Sequence, residues 1–285
     1  MKKNLFLSLM VMALMACSEH NAPSDSSNVH EFSVSDEQQV EFSSGNLQYR
    51  ASTQTWRFAP NQYDIVGSDN ANIADDYDGW IDLFGWGCGD APTKVTTRFE
   101  EYMTYKEFGD NMPSETKSKK WRTLTKDEWF FLFLKRNKAE ELFGLGSVGE
   151  VSGLILLPDD WTLPEGVAFT PSTTLGLKYG YHQGRNAFYN NECDNFTHNV
   201  YTIDEWRKME TNGAVFLPAA YYRTVEEFSS NVLKDVSYII AGWYWSATGD
   251  DNRKNFAACF DFDNYILEPS VYLKRPHGCS IRLVR

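Results

Sequence analysis

Five cysteines, at positions 17, 88, 193, 259 and 279, are the side chains of this 285-residue sequence best suited to covalent chemistry. Cys17 ends the run Leu14-Met15-Ala16-Cys17, which follows Lys2, Lys3 and an apolar stretch from Leu5 to Ala16. That stretch is too short to cross a bilayer, which takes about 20 residues. Its order of charge, apolar run, small residue and Cys predicts a lipoprotein leader over residues 1–16, with an ordinary secretory signal and an incidental Cys as the alternative. The protease needs a small residue before the cut, and the Cys17 thiol becomes the thioether that carries diacylglycerol. Several acyl chains of the palmitate type on one residue hold a protein at a membrane where one chain does not. The other four cysteines show no CxxC and no zinc spacing. Alternation in Phe256-Ala-Ala-Cys-Phe-Asp-Phe262 turns Cys259 away from the phenylalanines, whereas Cys279 falls on the apolar side of its segment. Unlike faces oppose a bond between them, and free buried thiols are expected.

Other reactive groupings are weaker. Asp75-Asp-Tyr-Asp-Gly79 suggests calcium, but Ala74 and Gly85 stand where an EF-hand loop needs its first and last ligands. A looser calcium site and a solvated acidic turn remain as alternatives, and no metal is assigned. The five histidines are scattered. Glu100-Glu101, Glu140-Glu141 and Glu226-Glu227 are adjacent in sequence, so on a helix or strand each pair diverges. The sequence has no G-x-S-x-G elbow, P-loop or dinucleotide fingerprint. No catalytic residue and no cofactor is predicted. The formal charge of -12 opposes a nucleic-acid partner and a polybasic membrane contact.

The elements that would position these residues follow from patterning. Ser18 to Asn28 is polar and reads as part of a flexible tether over 17–30. Residues 31–285 contain no Gly/Ser/Pro linker and are expected to form one α+β domain. Short alternating runs at 32–35, 40–43, 47–50 and 55–59 predict N-terminal hairpins. GWIDLFGWG over 79–87 predicts backbone packed closely against flat rings. Thr125-Lys-Asp-Glu128-Trp129 and Thr202-Ile-Asp-Glu205-Trp206 are two capping boxes. Leu124 with Trp129, and Tyr201 with Trp206, form their staples. The first helix is expected to continue to Phe143. Leu154–Pro158 and Gly213–Ala220 read as buried strands, and 171–200 as a long insertion. Gly242–Thr248, Asn255–Phe262 and Gly278–Arg285 read as three consecutive antiparallel strands. Trp80, Trp86, Trp129, Trp206, Trp243 and Trp245 sit in apolar blocks and are expected mostly in the core.

Several of these blocks together resemble a group of Bacteroidales envelope lipoproteins. They are Phe32-Ser-Val-Ser35, Gly45-Asn-Leu-Gln-Tyr49, Trp56-Arg-Phe-Ala59, GWIDLFGWG, Trp121-Arg-Thr-Leu-Thr-Lys-Asp-Glu-Trp129, Gly213-Ala-Val-Phe-Leu-Pro-Ala-Ala220, Trp243-Tyr-Trp-Ser-Ala-Thr248 and Gly278-Cys-Ser-Ile-Arg-Leu-Val-Arg285. The C-terminal half is similar to the Fibrobacter major paralogous domain. Through it the chain resembles the C-type-lectin fold of formylglycine-generating enzymes and of retroelement-diversified variable proteins. The resemblance implies two helices, a twisted antiparallel sheet, long loops, and N- and C-terminal strands that meet. It implies ligand contacts on the last strands and their connections. On this chain those are Asp250, Asp251, Asn252, Arg253, Asn255, Asp261, Asn264, Tyr265 and Tyr272. Their side chains offer hydrogen bonds and flat contact area, which suits recognition. Solvated turns and strand faces are the alternative.

A formylglycine-generating enzyme would need a closely spaced pair of copper-binding cysteines near the C-terminus, and Cys259 and Cys279 are 20 residues apart. The related iron enzymes need clustered histidines. Glu268-Pro269-Ser270 is close to the Glu-Pro-Asn sugar motif of animal lectins, but Ser replaces the amide and the position is too near the C-terminus. The expectation is therefore a non-catalytic recognition domain for a protein or glycan. It would be anchored by lipid on Cys17 in the outer membrane and exposed at the cell surface. A subunit of a surface assembly is the second expectation, and an enzyme on this fold the third.

Overall fold

In the computed structural model, the described residues are 30–113, 120–190, 196–225 and 240–285. Residues 1–29, which hold the expected leader, Cys17 and most of the expected tether, lie outside them, as do Cys193 and the Glu226-Glu227 pair. The strands in chain order are β1 Phe32–Ser33, β2 Gln39–Val40, β3 Leu47–Arg50, β4 Thr55–Phe58, β5 Trp80–Ile81 and β6 Arg122–Thr123. Helix α1, Lys126–Leu134, is followed by β7 Phe143–Val148, β8 Val151–Leu156, β9 Lys178–His182, β10 Arg185–Tyr189 and β11 Asn199–Tyr201. After α2, Ile203–Thr211, come β12 Val215–Pro218, β13 Ala241–Gly249, β14 Phe256–Asp263, β15 Ile266–Lys274 and β16 Leu283–Val284. The fold is mixed α+β, mostly antiparallel sheet with few helices. The largest sheet has the order β13-β14-β15-β10-β9 and is antiparallel throughout. A second has the order β11-β7-β8-β12, with β11 parallel to β7. The N-terminal hairpin gives β4-β3-β5.

Both capping boxes form. Thr125 and Thr202 accept from the amides of Glu128 and Glu205, whose carboxylates accept from the cap amides in return. Such boxes satisfy amides that the first turn would leave open. The first helix is shorter than its sequence suggests. It stops at Leu134 because the buried Arg136 guanidinium donates to the carbonyls of Leu132, Leu142 and Leu157, folding the chain back on itself. Lys138 then takes a positive φ, and β7 begins at Phe143.

The third strand of the large sheet is also not the expected one. Ile266–Lys274 occupies that place, and Gly278–Arg285 instead threads between packing layers. There Cys279 bridges Phe84, Ser280 bridges Tyr244, and Leu283 pairs with Thr123. Pro269 obscures β15 in the sequence, because a central strand has no place for a missing N–H. The structure puts Pro269 in a bulge: the register passes from Cys259↔Val271 to Asp261↔Glu268, so β15 carries the extra residue. The expected insertion at 171–200 contains the β9–β10 hairpin. Its turn residues Gln183 and Gly184 both have positive φ, as a two-residue turn matching strand twist requires.

Three apolar clusters fill the interior. The first joins Trp129, Leu132 and Phe133 of α1 to Tyr244, Phe260, Phe262 and Leu267 on one face of the large sheet. The second joins the N-terminal aromatic block, including Leu47, Phe84, Trp86 and Phe108, to Trp245, Ala257 and Cys259 on the opposite face. In the third, Trp206 and Met209 of α2 pack on Ile155 and Phe216. Trp86 Nε1 donates to the Ser246 carbonyl and Trp245 Nε1 to the Phe84 carbonyl, stitching the aromatic block to the sheet. A Cβ on Gly85 would stand 2.6 Å from the Tyr102 ring, so the backbone there must be glycine. Of the six tryptophans expected in the core, Trp86, Trp129, Trp206 and Trp245 are buried, while Trp80 and Trp243 are half-buried.

Cys259 and Cys279 are free thiols in the same cluster, which corrects the expectation that they face different environments. The alternation of Cys259 against Phe260 holds, but the large sheet is covered on both faces, so either side of β14 is interior. Burial pushes both thiols well above their ordinary range, and pushes Cys88 up to about 12.

The N- and C-terminal segments meet as expected: Phe42 bridges Val284, and Arg285 pairs with Glu41 at 2.8 Å. Beside them, Arg282 is 1% exposed. Its Nη2 donates to Gln62 Oε1 at 2.6 Å and its Nη1 to Asn46 Oδ1 at 3.4 Å. Arg282→Ala removes these donors and leaves a void, and should cost about 3 kcal/mol in chemical unfolding. Unchanged unfolding would show that the network contributes nothing. Asp82 supplies a pH signature. Burial raises its carboxyl to about 6, against hydrogen bonds from Asn70 and the Val66 amide. Between pH 4 and 6 the folded state keeps a proton that the unfolded chain releases, so this group lowers stability as pH rises through that window. The full cost is about 3 kcal/mol above it. Melting of wild type and Asp82→Asn compared from pH 4 to 7 should show that component only in the wild type.

Candidate functional site

The flank of α1 beside its core residues, together with β15, β10 and β9, borders an open groove of about 740 Å³. Trp129 and Phe133 stack on Phe260 at 4.9 and 4.8 Å, which fixes the helix on the sheet. With those residues turned inward, Lys126, Asp127 and Phe130 line the groove. Thr248 Oγ1 accepts from the Lys126 amide, tying the helix start to β13. On the sheet side, Tyr272 pairs in register with Ala258, on the same face as Phe260 and the α1 cluster, and the β15 bulge adds Pro269 and Ser270. Tyr179 stands directly across from Phe188 in the β9–β10 register, at 5.2 Å between rings, and Arg185 and Asn186 complete that wall.

Four cations border the groove: Lys126, Lys135, Arg185 and Arg253. Arg253 is held from behind. Its Nε donates to Asp250 Oδ2 at 2.6 Å, and its guanidinium lies over the rings of Phe256 and Tyr272 at 4.7 and 4.9 Å. Arg185 Nη1 donates to Glu268 Oε2 at 2.6 Å. Lys126 Nζ donates to Tyr272 Oη at 3.4 Å, and Lys135 lies 5.7 Å from the Phe130 ring.

The nine residues expected to contact ligand separate into five groups. Arg253 and Tyr272 come together in the groove. Asp250 is buried behind them. Burial raises its carboxyl, but the side-chain bond from Arg253 and the amides of Arg253 and Asn252 outweigh that and leave it below its usual range. Asp251 and Asn252 are exposed and Asn255 half-buried on the same turn, outside the groove lining. Asn264 and Tyr265 sit at the far end of the β14–β15 hairpin, roughly 23 Å of strand away at 3.3 Å per residue. Asp261 is buried within the sheet, in register with Glu268. Burial, then the Glu268 charge, holds its carboxyl well above the ordinary range, and burial also raises Glu268. Neither lines the groove. Their position suits holding Arg185 more than working on a bound molecule.

Sequence reasoning missed Lys126, Phe130, Lys135, Tyr179, Arg185 and Asn186. One signal was available for part of the set: with Trp129, Leu132 and Phe133 on one face of a capped helix, Phe130 had to lie off the core. The acidic turn holds its own carboxylates, since Asp75 and Asp78 accept from the hydroxyls of Thr93 and Ser52. Among the described residues, no group of three or more His, Cys, Asp or Glu is placed to hold a metal ion. No helix among them is long and apolar enough to cross a membrane.

Arg and aromatic rings stacked on a rigid sheet, with hydroxyl and amide groups at the rim, can orient a polar ligand by hydrogen bonds while burying its apolar face. No protein-family model matches the chain, and comparison with curated proteins and with solved structures returned no match.

Proposed function

We propose that this chain is a lipid-anchored cell-envelope protein presenting a non-catalytic recognition domain, and that the groove between α1 and β15 receives its ligand. The observation that carries the reading is the groove itself: a 740 Å³ recess whose walls are a capped helix and paired strands. Sites on regular elements hold their geometry better than sites on loops. The domain is read as C-type-lectin-like. Two capped helices, a large antiparallel sheet and joined terminal segments support that reading. The leader pattern ending at Cys17 supports the lipid anchor and an outer-membrane, surface-exposed location.

Arrayed glycans and envelope or host surface proteins, probed with the purified chain, test the recognition reading. Hits should be saturable and should weaken about tenfold or more for Tyr272→Ala, a loss typical of a stacked aromatic contact. Hits that Tyr272→Ala leaves unchanged would place recognition elsewhere. The anchor has a separate test. Cys17→Ser should move the protein from the membrane to the soluble fraction, and continued membrane retention would remove the lipid argument.

A further inference from the structure

We infer that the groove selects an anionic saccharide, a sugar bearing carboxylate or sulfate groups; this rests on the recognition reading above. The chain as a whole carries a charge of -12, yet among the described residues four cations and a single acid, Asp127, line the groove. Local charge opposite in sign to the whole molecule has to be assembled, and it concentrates anions against the general field. Among the described residues, neither Lys126 nor Lys135 has a carboxylate partner. Asp250 takes only the Nε edge of Arg253. The two terminal nitrogens of that guanidinium make no hydrogen bond among the described residues, and half of the side chain is exposed. A guanidinium clamped on one edge and stacked on two rings presents its remaining donors as a fixed fork, the geometry that binds carboxylate or sulfate bidentately.

The remaining surface suits a sugar. Phe130, Tyr179 and Tyr272 supply flat apolar area for the C–H face of a pyranose, and Asn186 and Ser270 supply amide and hydroxyl groups for its ring hydroxyls. Tyr181 shares the face of Tyr179, two residues along β9, and at 73% exposed extends the aromatic rim. Strand β10 pairs with β15 only at Ile266 and Leu267, so the Pro269–Tyr272 stretch that lines the groove is paired on the β14 side. Extended peptides dock by adding to a strand edge, so an acidic peptide is the competing occupant, and poly-glutamate in the test below separates it from a saccharide.

The test is titration calorimetry on the detergent-solubilised full chain with four probes. These are a heparin hexasaccharide, a galacturonic acid trimer, a neutral galactose trimer and poly-glutamate, with sodium sulfate as a control for bare anion. At least one charged oligosaccharide should bind about tenfold or more tightly than the neutral trimer. That affinity should fall as salt rises from about 0.05 to 0.2 M. It should also drop about tenfold in Arg253→Met and in Lys135→Glu. The second variant changes an exposed residue just past the end of α1 and outside the Asp250 turn, so loss in it cannot be attributed to misfolding there. Equal binding of neutral and charged trimers, still lost in Tyr272→Ala, would overturn the charge selection and leave the recognition groove standing. Binding of poly-glutamate alone, or of sulfate as tightly as the oligosaccharides, would overturn the saccharide. Binding of no probe would overturn the inference, and the array result with Tyr272→Ala would then decide the groove on its own.

Discussion

The structure depends on one buried cation. Arg282 stands where the three apolar clusters converge, flanked by Ile281 and Leu283 of the second and Val284 of the first. Burial lowers its guanidinium to about 10, while Tyr244 and Glu210 favour the charged form. Its acceptors belong to distant parts of the chain. Gln62 Oε1 also takes the Phe216 amide, and Gln62 Nε2 donates to Glu210 of α2 and to the Ala214 carbonyl. Asn46 Oδ1 accepts from Arg282, and Asn46 Nδ2 donates to Tyr244 Oη, which in turn donates to the Pro218 carbonyl. Burying a charge is costly unless its donors are met. The N-terminal hairpin, β12, β13 and α2 must come together around the last segment to meet the two terminal nitrogens, while Nε is buried without a hydrogen bond among the described residues. The network therefore selects a unique assembly more than it adds net stability.

That assembly makes the groove rigid. With the α1 cluster on one face of the large sheet and the aromatic block on the other, β14 and β15 are packed from both sides. A sheet pinned in this way cannot shift without opening one core or the other, and close-packed interiors resist such movement. The bulge at Pro269 is then a fixed irregularity that widens β15 where the groove lies.

How much of this was legible from sequence depended on the range of each interaction. Capping boxes span three residues, so Thr125, Glu128, Thr202 and Glu205 announced both helix starts. The end of α1 was hidden because Arg136 stops it through carbonyls as distant as Leu157. Strand β7 was hidden by Gly144 and Gly146. The latter lets β7 lie against β11, since a Cβ there would stand 2.4 Å from the Asn199 carbonyl oxygen. Strand β15 was hidden by Pro269, whose penalty in a strand is removed by a bulge that no local pattern encodes. Of the groove, Arg253 and Tyr272 were legible because they belong to the C-terminal hairpin. Lys126, Tyr179 and Arg185 come from segments well before it, and only the docking of α1 and the β9–β10 hairpin onto the sheet brings them together.

The acidic residues of the C-terminal region have a role opposite to the one their sequence invites. Asp250 reads as a group that would meet a ligand, yet it and Glu268 are both buried behind arginines that reach the groove. A carboxylate taken out of water keeps its charge only when it is paired and hydrogen-bonded. Arg253 and two amides satisfy Asp250, and Arg185 offsets the burial of Glu268. The constraint works in both directions. Each carboxylate fixes its arginine from the protein side and leaves the other guanidinium edge outward. In a chain with this excess of acid, a free surface arginine would be drawn to whichever carboxylate lay within reach. Committing one buried partner to each arginine in advance keeps the outward donors available, so the acids shape a basic site that they do not themselves touch.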